Sequence, residues 1–223
     1  MGYNIAIDGP AGAGKSTIAK LVAKELGFIY VDTGAMYRGL AVHFLKKGIV
    51  PGEVEKIEAA CEDAKVELGY ENGVQQVYLN GENITSQLRE EAVGNMASVS
   101  SAVPAVRAKL LDLQRNLAKE KDVVMDGRDI GTNVLPNADV KIFLTASAES
   151  RAKRRYDELC EKGIECDFEK IKADMEYRDK NDSQRAVAPL KKADDATLID
   201  TTEYDFDGAV KLVKDLILEK TEG

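Results

Sequence analysis

Apolar and polar positions along the chain switch repeatedly between a two-residue and a 3.6-residue period. Residues 3–8 form a short apolar-centred run that predicts a buried strand. A glycine-rich turn follows. Residues 15–26 then place Ile18, Ala19, Leu21, Val22 and Leu26 at helical spacing, with Gly27 as the stop. Residues 28–31 predict a second strand. Residues 33–47 predict a helix with Asp32 or Thr33 as N-cap, stopped by Gly48. Strand, loop, helix, strand, helix in this order implies a parallel sheet with right-handed crossovers.

After Pro51 the pattern changes. Residues 53–64 predict a helix. The runs 66–71 and 74–79 alternate, with Asn72-Gly73 between them and Asn80-Gly81 after the second. Asn-Gly flanked by alternating residues is a hairpin signal, so an antiparallel module is inserted at about residues 64–85. Helices are predicted at 87–99 and at 103–120, the latter with Pro104 in its first turn. Residues 122–126, 140–145 and 197–201 predict three more parallel strands, making five. Charged helices are predicted from Ser147 to Gly163 and over 167–179, and an amphipathic one over 205–219. The chain thus reads as one α/β domain over residues 1–223, with no internal repeat.

Composition narrows the chemistry. Lys and Arg number 31 and Asp and Glu 39, a net charge of −8, which argues against a general binder of nucleic acid or anionic membrane. A single histidine, His43, excludes a multi-histidine metal site, and its mid-helix place reads as structural. Cys61, Cys160 and Cys166 contain no C-x-x-C pair and read as reduced thiols. No apolar run approaches the ~18–20 residues that span a bilayer, and a strand at residues 3–8 leaves no room for a signal peptide. The expectation is a soluble cytoplasmic protein. The charge is uneven: residues 1–50 carry +3 and 151–192 carry +2, whereas 51–90 and 193–223 carry −6 each.

Gly9-Pro10-Ala11-Gly12-Ala13-Gly14-Lys15-Ser16, followed by Thr17, fits G-x-x-x-x-G-K-[ST] between a predicted strand and helix. Its backbone N–H groups and the helix N-terminus suit phosphate. Lys15 would reach the β- and γ-phosphates of a nucleoside triphosphate, and the Ser16 hydroxyl would ligate Mg²⁺. Asp126, at the end of the strand Val123-Val-Met-Asp126, would face that metal through water. Kinases, ATPases and GTPases share the loop, but the N-K-x-D guanine motif is absent. The chain has ten arginines against 21 lysines. Eight of them (Arg38, Arg107, Arg128, Arg151, Arg154, Arg155, Arg178 and Arg185) lie near the motifs, while Arg89 and Arg115 read as incidental. Selective use of arginine marks oxyanion recognition, although Arg151, Arg154 and Arg155 also have acidic neighbours on their helix. A small-molecule kinase meets these requirements; a nucleotide-binding switch with little turnover is the alternative from another class.

Six blocks in order carry a resemblance to bacterial cytidylate kinases over nearly the whole chain. They are GPAGAGKST from Gly9, DTGAMYR from Asp32, NMASVSSAVPAVR from Asn95, DGRDIGT from Asp126, RAKRR from Arg151, and RDKNDSQRAVAPL from Arg178. The resemblance implies a three-layer P-loop kinase fold whose region 33–103, with the β insert, binds the monophosphate and whose region 151–185 is a helical lid. It implies transfer of the γ-phosphoryl group of MgATP to CMP and dCMP. By position, Arg38, Arg128 and Arg185 would hold the acceptor phosphate, and Ser98, Arg107 and Asp129 would read cytosine. Thr33, Tyr37, Arg178 and Asp182 would line the ribose and phosphate side, and Arg151, Arg154 and Arg155 would close over the donor. Lys15 and Arg128 join these three as catalytic cations. The implied partners are ATP and CMP or dCMP, with no nucleic acid or membrane, and the protein is taken as a monomer. The segment Asp179-Lys180-Asn181 departs from the family pattern, so the sugar preference is left open.

Overall fold

The structure is a computed structural model and describes residues 2–222, with side chains through residue 220. Five parallel strands form the sheet: β1 (Asn4–Asp8), β2 (Ile29–Asp32), β6 (Val123–Gly127), β7 (Val140–Thr145) and β8 (Thr197–Asp200), in the order β2-β6-β1-β7-β8. Alternation along each strand sends side chains to two separate cores. Ala6, Val123 and Met125 join the core beneath α2 (Thr33–Lys46), α4 (Glu91–Ser100) and α5 (Pro104–Glu120). Ile5, Ile7, Val124 and Ile142 join the other, beneath α1 (Lys15–Leu26) and α8 (Phe206–Glu222). Near-continuous apolar strands are what a sheet covered on both faces requires.

Short α3 (Val54–Cys61) leads into a separate antiparallel sheet of β3 (Val66–Glu71), β4 (Val74–Leu79) and the two-residue β5 (Glu82–Asn83). The Asn-Gly turns adopt the left-handed backbone they predict, with φ of 52° and 76° at Asn72-Gly73 and 50° and 85° at Asn80-Gly81. Helices α6 (Ala148–Glu161) and α7 (Phe168–Gln184) form a hairpin over one end of the sheet, α6 being N-capped by Ser147 Oγ.

Four readings change. The helix predicted at 87–99 is a single 3₁₀ turn, Thr85–Arg89, and then α4, because Glu90 is extended (ψ 139°) and breaks the run. The helix predicted at 167–179 continues to Gln184: its inward residues, Met175 and Asp182, lie seven apart, and a polar inner face hides the period. A π-turn at Ile130–Val134 had no periodic signal. It is built by the buried Asp8 carboxylate, which accepts Ile130 N–H at 2.8 Å and Gly131 N–H at 2.7 Å. Arg115 is also not incidental: its guanidinium donates to Asn133 O and Val134 O and fastens the end of that turn.

Candidate active site

Residues that follow β1, β2 and β6 surround one cleft of about 920 Å³, together with α4, α6 and α7. This is the edge at which parallel sheets bind ligands. All eight arginines singled out in the sequence line it, and Arg89 and Arg115 do not.

The phosphate loop forms the floor. Gly9 (φ 150°) passes so close to β7 that a Cβ there would lie 1.9 Å from Leu144 O. Gly9 and Pro10 therefore stand behind the cleft and act through their backbone, whereas Ala11 to Thr17 line it. Buried Lys15 donates from Nζ to Pro10 O at 2.6 Å. Burial, and next the charge of Arg128, push its ammonium down to about 7 against the pull of Asp126 and Asp8.

Asp32 and Asp126 are in register on β2 and β6. Asp126 Oδ2 accepts from Ser16 Oγ at 2.9 Å, and Oδ1 accepts from the Tyr30 hydroxyl at 2.8 Å. Burial, then proximity to Asp32, raise this carboxyl to about 6. The Ser16 hydroxyl and Asp126 carboxylate are hard oxygen donors side by side, the kind of pair that holds Mg²⁺ when phosphates and water supply the remaining ligands. The Thr33 hydroxyl donates to Asp126 O at 2.8 Å and is buried under the cleft wall. Tyr30 carries no sequence signal for this role, because its partner lies 96 residues away.

The far wall is a charge network. Asp129 accepts from Arg107 Nη2 at 2.5 Å, from Arg185 Nη2 at 3.1 Å and from Asn133 Nδ2 at 3.1 Å. Arg107, Arg185 and Asp129 are each buried. The Arg107 guanidinium carbon lies 5.4 Å from the centre of the Tyr37 ring, while its Nε is buried without a hydrogen-bond partner among the described residues. Arg128 Nε donates to Asp182 Oδ2 at 2.8 Å. Ser98 lines the same wall, its carbonyl accepting from Ser101 Oγ. The Arg178 guanidinium donates to Asn95 Oδ1 at 3.0 Å, joining α7 to α4.

The three arginines of α6 separate into different roles. Arg151 is buried and donates to Ala11 O at 2.7 Å and to Asp179 Oδ2 at 2.6 Å, tying the phosphate loop to α7. Arg154 donates to Thr201 O and Tyr204 O and so holds α6 to the segment after β8. Arg155 is half exposed and pairs with Glu158 three residues on, the surface pairing that its helix allows. His43 lies outside the cleft, buried, with Nε2 3.1 Å from Asp63 Oδ1. Cys61 is buried, and the sulfurs of Cys160 and Cys166 are 4.0 Å apart near the tip of the α6–α7 hairpin.

The family model described as cytidylate kinase matches residues 5–219. The chain is 50% identical over 213 residues to a protein named cytidylate kinase from Caldicellulosiruptor saccharolyticus, covering 96% of this chain and 94% of that one. It is 49% identical over 215 residues to one of the same name from Exiguobacterium, covering 96% of each. In structure it is similar to an uncharacterized protein from Eubacterium ventriosum, with a TM-score of 0.54, 14% identity and 99% of each chain covered; at that identity the likeness concerns the fold alone. No helix among the described residues is long and apolar enough to cross a membrane. With the phosphate loop, the strand-end carboxylate and the arginine-lined wall in one cleft, and with a match over nearly the whole chain, the protein belongs to the cytidylate kinase family.

Proposed function

We propose that this protein transfers the γ-phosphoryl group of ATP to CMP, and to dCMP, giving ADP and the corresponding diphosphate. The observation that carries the choice of base is the buried Arg107–Asp129 pair against Tyr37. Cytosine presents an amine donor at position 4 and acceptors at N3 and O2. Asp129 can accept from the amine, and Arg107, with an unpartnered Nε, can donate to N3 or O2. Uracil carries an acceptor at position 4 and an N–H donor at N3, so it inverts the Asp129 contact and an Arg107 contact to N3 while leaving O2 unchanged, and leaving buried groups mismatched typically costs on the order of 2–4 kcal/mol.

The acceptor phosphate is an anion at neutral pH, so transfer requires alignment and charge neutralisation more than a general base. Arg38, Arg128 and Arg185 would hold it, with Ser98 beside the base and Thr33, Arg178 and Asp182 along the sugar side. Lys15 would neutralise the transferring group from below, and Arg128, Arg151, Arg154 and Arg155 would do so from the wall and the α6–α7 hairpin. That hairpin, residues 151–185, would act as the lid that excludes water. Ser16 and Asp126 would hold Mg²⁺, Asp126 through water; the ion supplies charge neutralisation at the β- and γ-oxygens.

The assay offers purified protein MgATP with CMP, dCMP, UMP, AMP or shikimate and follows diphosphate formation. The expected result is turnover with CMP and dCMP and a kcat/KM at least ~30-fold lower with UMP. No CMP-dependent release of ADP would refute the reading. Lys15 adds a pH signature. At pH 8 a group held down to about 7 is mostly neutral, and polyphosphate restores its charge, so MgATP binding should take up about one proton. At pH 6 Lys15 is already charged, and Asp126, raised to about 6, should release protons as it faces the cation. Calorimetry in two buffers of different ionisation enthalpy reads both signs; the same proton count at both pH values would contradict the assignment.

A further inference from the structure

The antiparallel module is the largest feature that phosphoryl transfer leaves unexplained. Its position on the sheet suggests what it does. β2 is an outer strand, paired among the described residues on one side only, with β6. Ile29 N–H donates toward β6, to Asp122 O. The two-residue alternation of a strand therefore turns the backbone groups of Tyr30 and Asp32 to the open side.

Side chains of the β3–β4 hairpin meet three of those groups. The Tyr70 hydroxyl donates to Tyr30 O at 3.1 Å. Gln75 Oε1 accepts from Asp32 N–H at 2.9 Å, and Gln75 Nε2 donates to Asp32 O at 3.2 Å. A carboxamide carries one acceptor and two donors, so Gln75 stands in for the peptide unit of an absent neighbouring strand. Tyr70 and Gln75 are cross-strand partners near the hairpin tip. Val66 and Val77, on the same face of the hairpin, pack against Gly39 of α2, where a Cβ would lie 3.2 Å from Val77 Cγ1. The hairpin thus lies along α2, and its tip clasps the strand that leads into it.

Of the clasped residues, Asp32 lines the cleft and Tyr30 holds a residue that does. Tyr30 donates to Asp126 Oδ1 at 2.8 Å. The Asp32 side chain accepts from Ala35 N–H at 2.9 Å, capping α2, and lies 3.7 Å from Arg38 Nη1. We infer that Gln75 is a positioning residue for the acceptor site: by holding both backbone groups of Asp32 it sets the junction from which Thr33, Tyr37 and Arg38 project. The inference rests on the reading of Arg38 as a ligand of the acceptor phosphate.

The test compares Gln75→Ala and Tyr70→Phe with the unaltered protein. Displacing a ligand-bearing helix start by a fraction of the ~1 Å that costs 10²-fold should raise the KM for CMP about tenfold in Gln75→Ala, with the KM for ATP within about twofold. Tyr70→Phe, which loses the bond to Tyr30 alone, should show a smaller rise. Hydrogen exchange at the amides of Asp32 and Ala35 should accelerate in Gln75→Ala. A CMP KM within about twofold of the unaltered protein, with unchanged exchange at these amides, would overturn the inference. A lower Tm with both KM values unchanged would mark a merely structural contact and overturn it as well. Should the unaltered protein fail to phosphorylate CMP, the functional reading fails instead, and exchange at Asp32 still judges the clasp.

Discussion

Lys15→Ala is expected to lower kcat by about 10³–10⁴-fold with CMP and with every other acceptor, equivalent to roughly 4–5.5 kcal/mol of lost transition-state stabilisation. The ammonium is buried at the floor of the cleft and held on Pro10 O. A fixed cation in a water-excluded site is worth far more than one in solvent. Stability should move the other way. A lysine held down to about 7 in the folded protein against 10.5 unfolded disfavours folding most below pH 7, and the penalty disappears as pH rises through 10.5. Alanine removes it, so Tm at pH 7 should be unchanged or higher while activity is lost. Steady-state kinetics and a melting curve on the same preparation check both, and a loss in kcat of under about tenfold would refute the assigned role.

Asp129→Asn is the second large effect, and it should strike both stability and specificity. The carboxylate receives Arg107 and Arg185 in a buried setting, with side-chain exposures of 5%, 5% and 3% for Asp129, Arg107 and Arg185. Removing one partner of a buried ion pair costs about 3–5 kcal/mol, because the remaining charges stay desolvated. Asparagine keeps the shape but turns a donor toward groups that are already donors. Tm should fall by several degrees, and kcat/KM for CMP should fall by about 10²-fold or more when assayed well below the new Tm. The CMP to UMP ratio should collapse toward unity, since UMP never used the carboxylate productively. Arg107→Ala is the comparison: it leaves Asp129 paired with Arg185, so its Tm should suffer less for a similar loss of discrimination. An unchanged CMP to UMP ratio in both variants would remove the base-reading role from this pair.

The charge pattern illustrates how far the chain could be read unaided. The arginines stand out because lysine is the ordinary surface cation of this chain, and the eight singled out do converge on the cleft. What the pattern does not convey is that most of them meet carboxylates there: Arg107 and Arg185 meet Asp129, Arg128 meets Asp182, Arg151 meets Asp179, and Arg38 meets Asp32. The cleft is therefore less an open cationic patch than a set of pre-oriented pairs. Arg155 retains the local helix pairing that its sequence neighbours offered, whereas Arg151, four residues earlier, is drawn into the loop and α7. Equal local signals had unequal outcomes because burial depends on what packs above the helix.

The sequence alone determined the features set by short-range geometry. These are the phosphate loop between strand and helix, the five apolar strands, a helix cap at Asp32 or Thr33 (which the structure resolves to Asp32) and the left-handed Asn-Gly turns, all of which depend on backbone dihedrals and side-chain periodicity within a few residues. Tertiary structure alone decided the partnerships across the fold: Tyr30 with Asp126, Asp8 with the turn after β6, and Gln75 with the backbone of Asp32. These pairs lie 96, 122 and 43 residues apart, and each exists because burial leaves a polar group that must find a partner. Which residue supplies that partner depends on how strands and helices stack, and no local pattern encodes it.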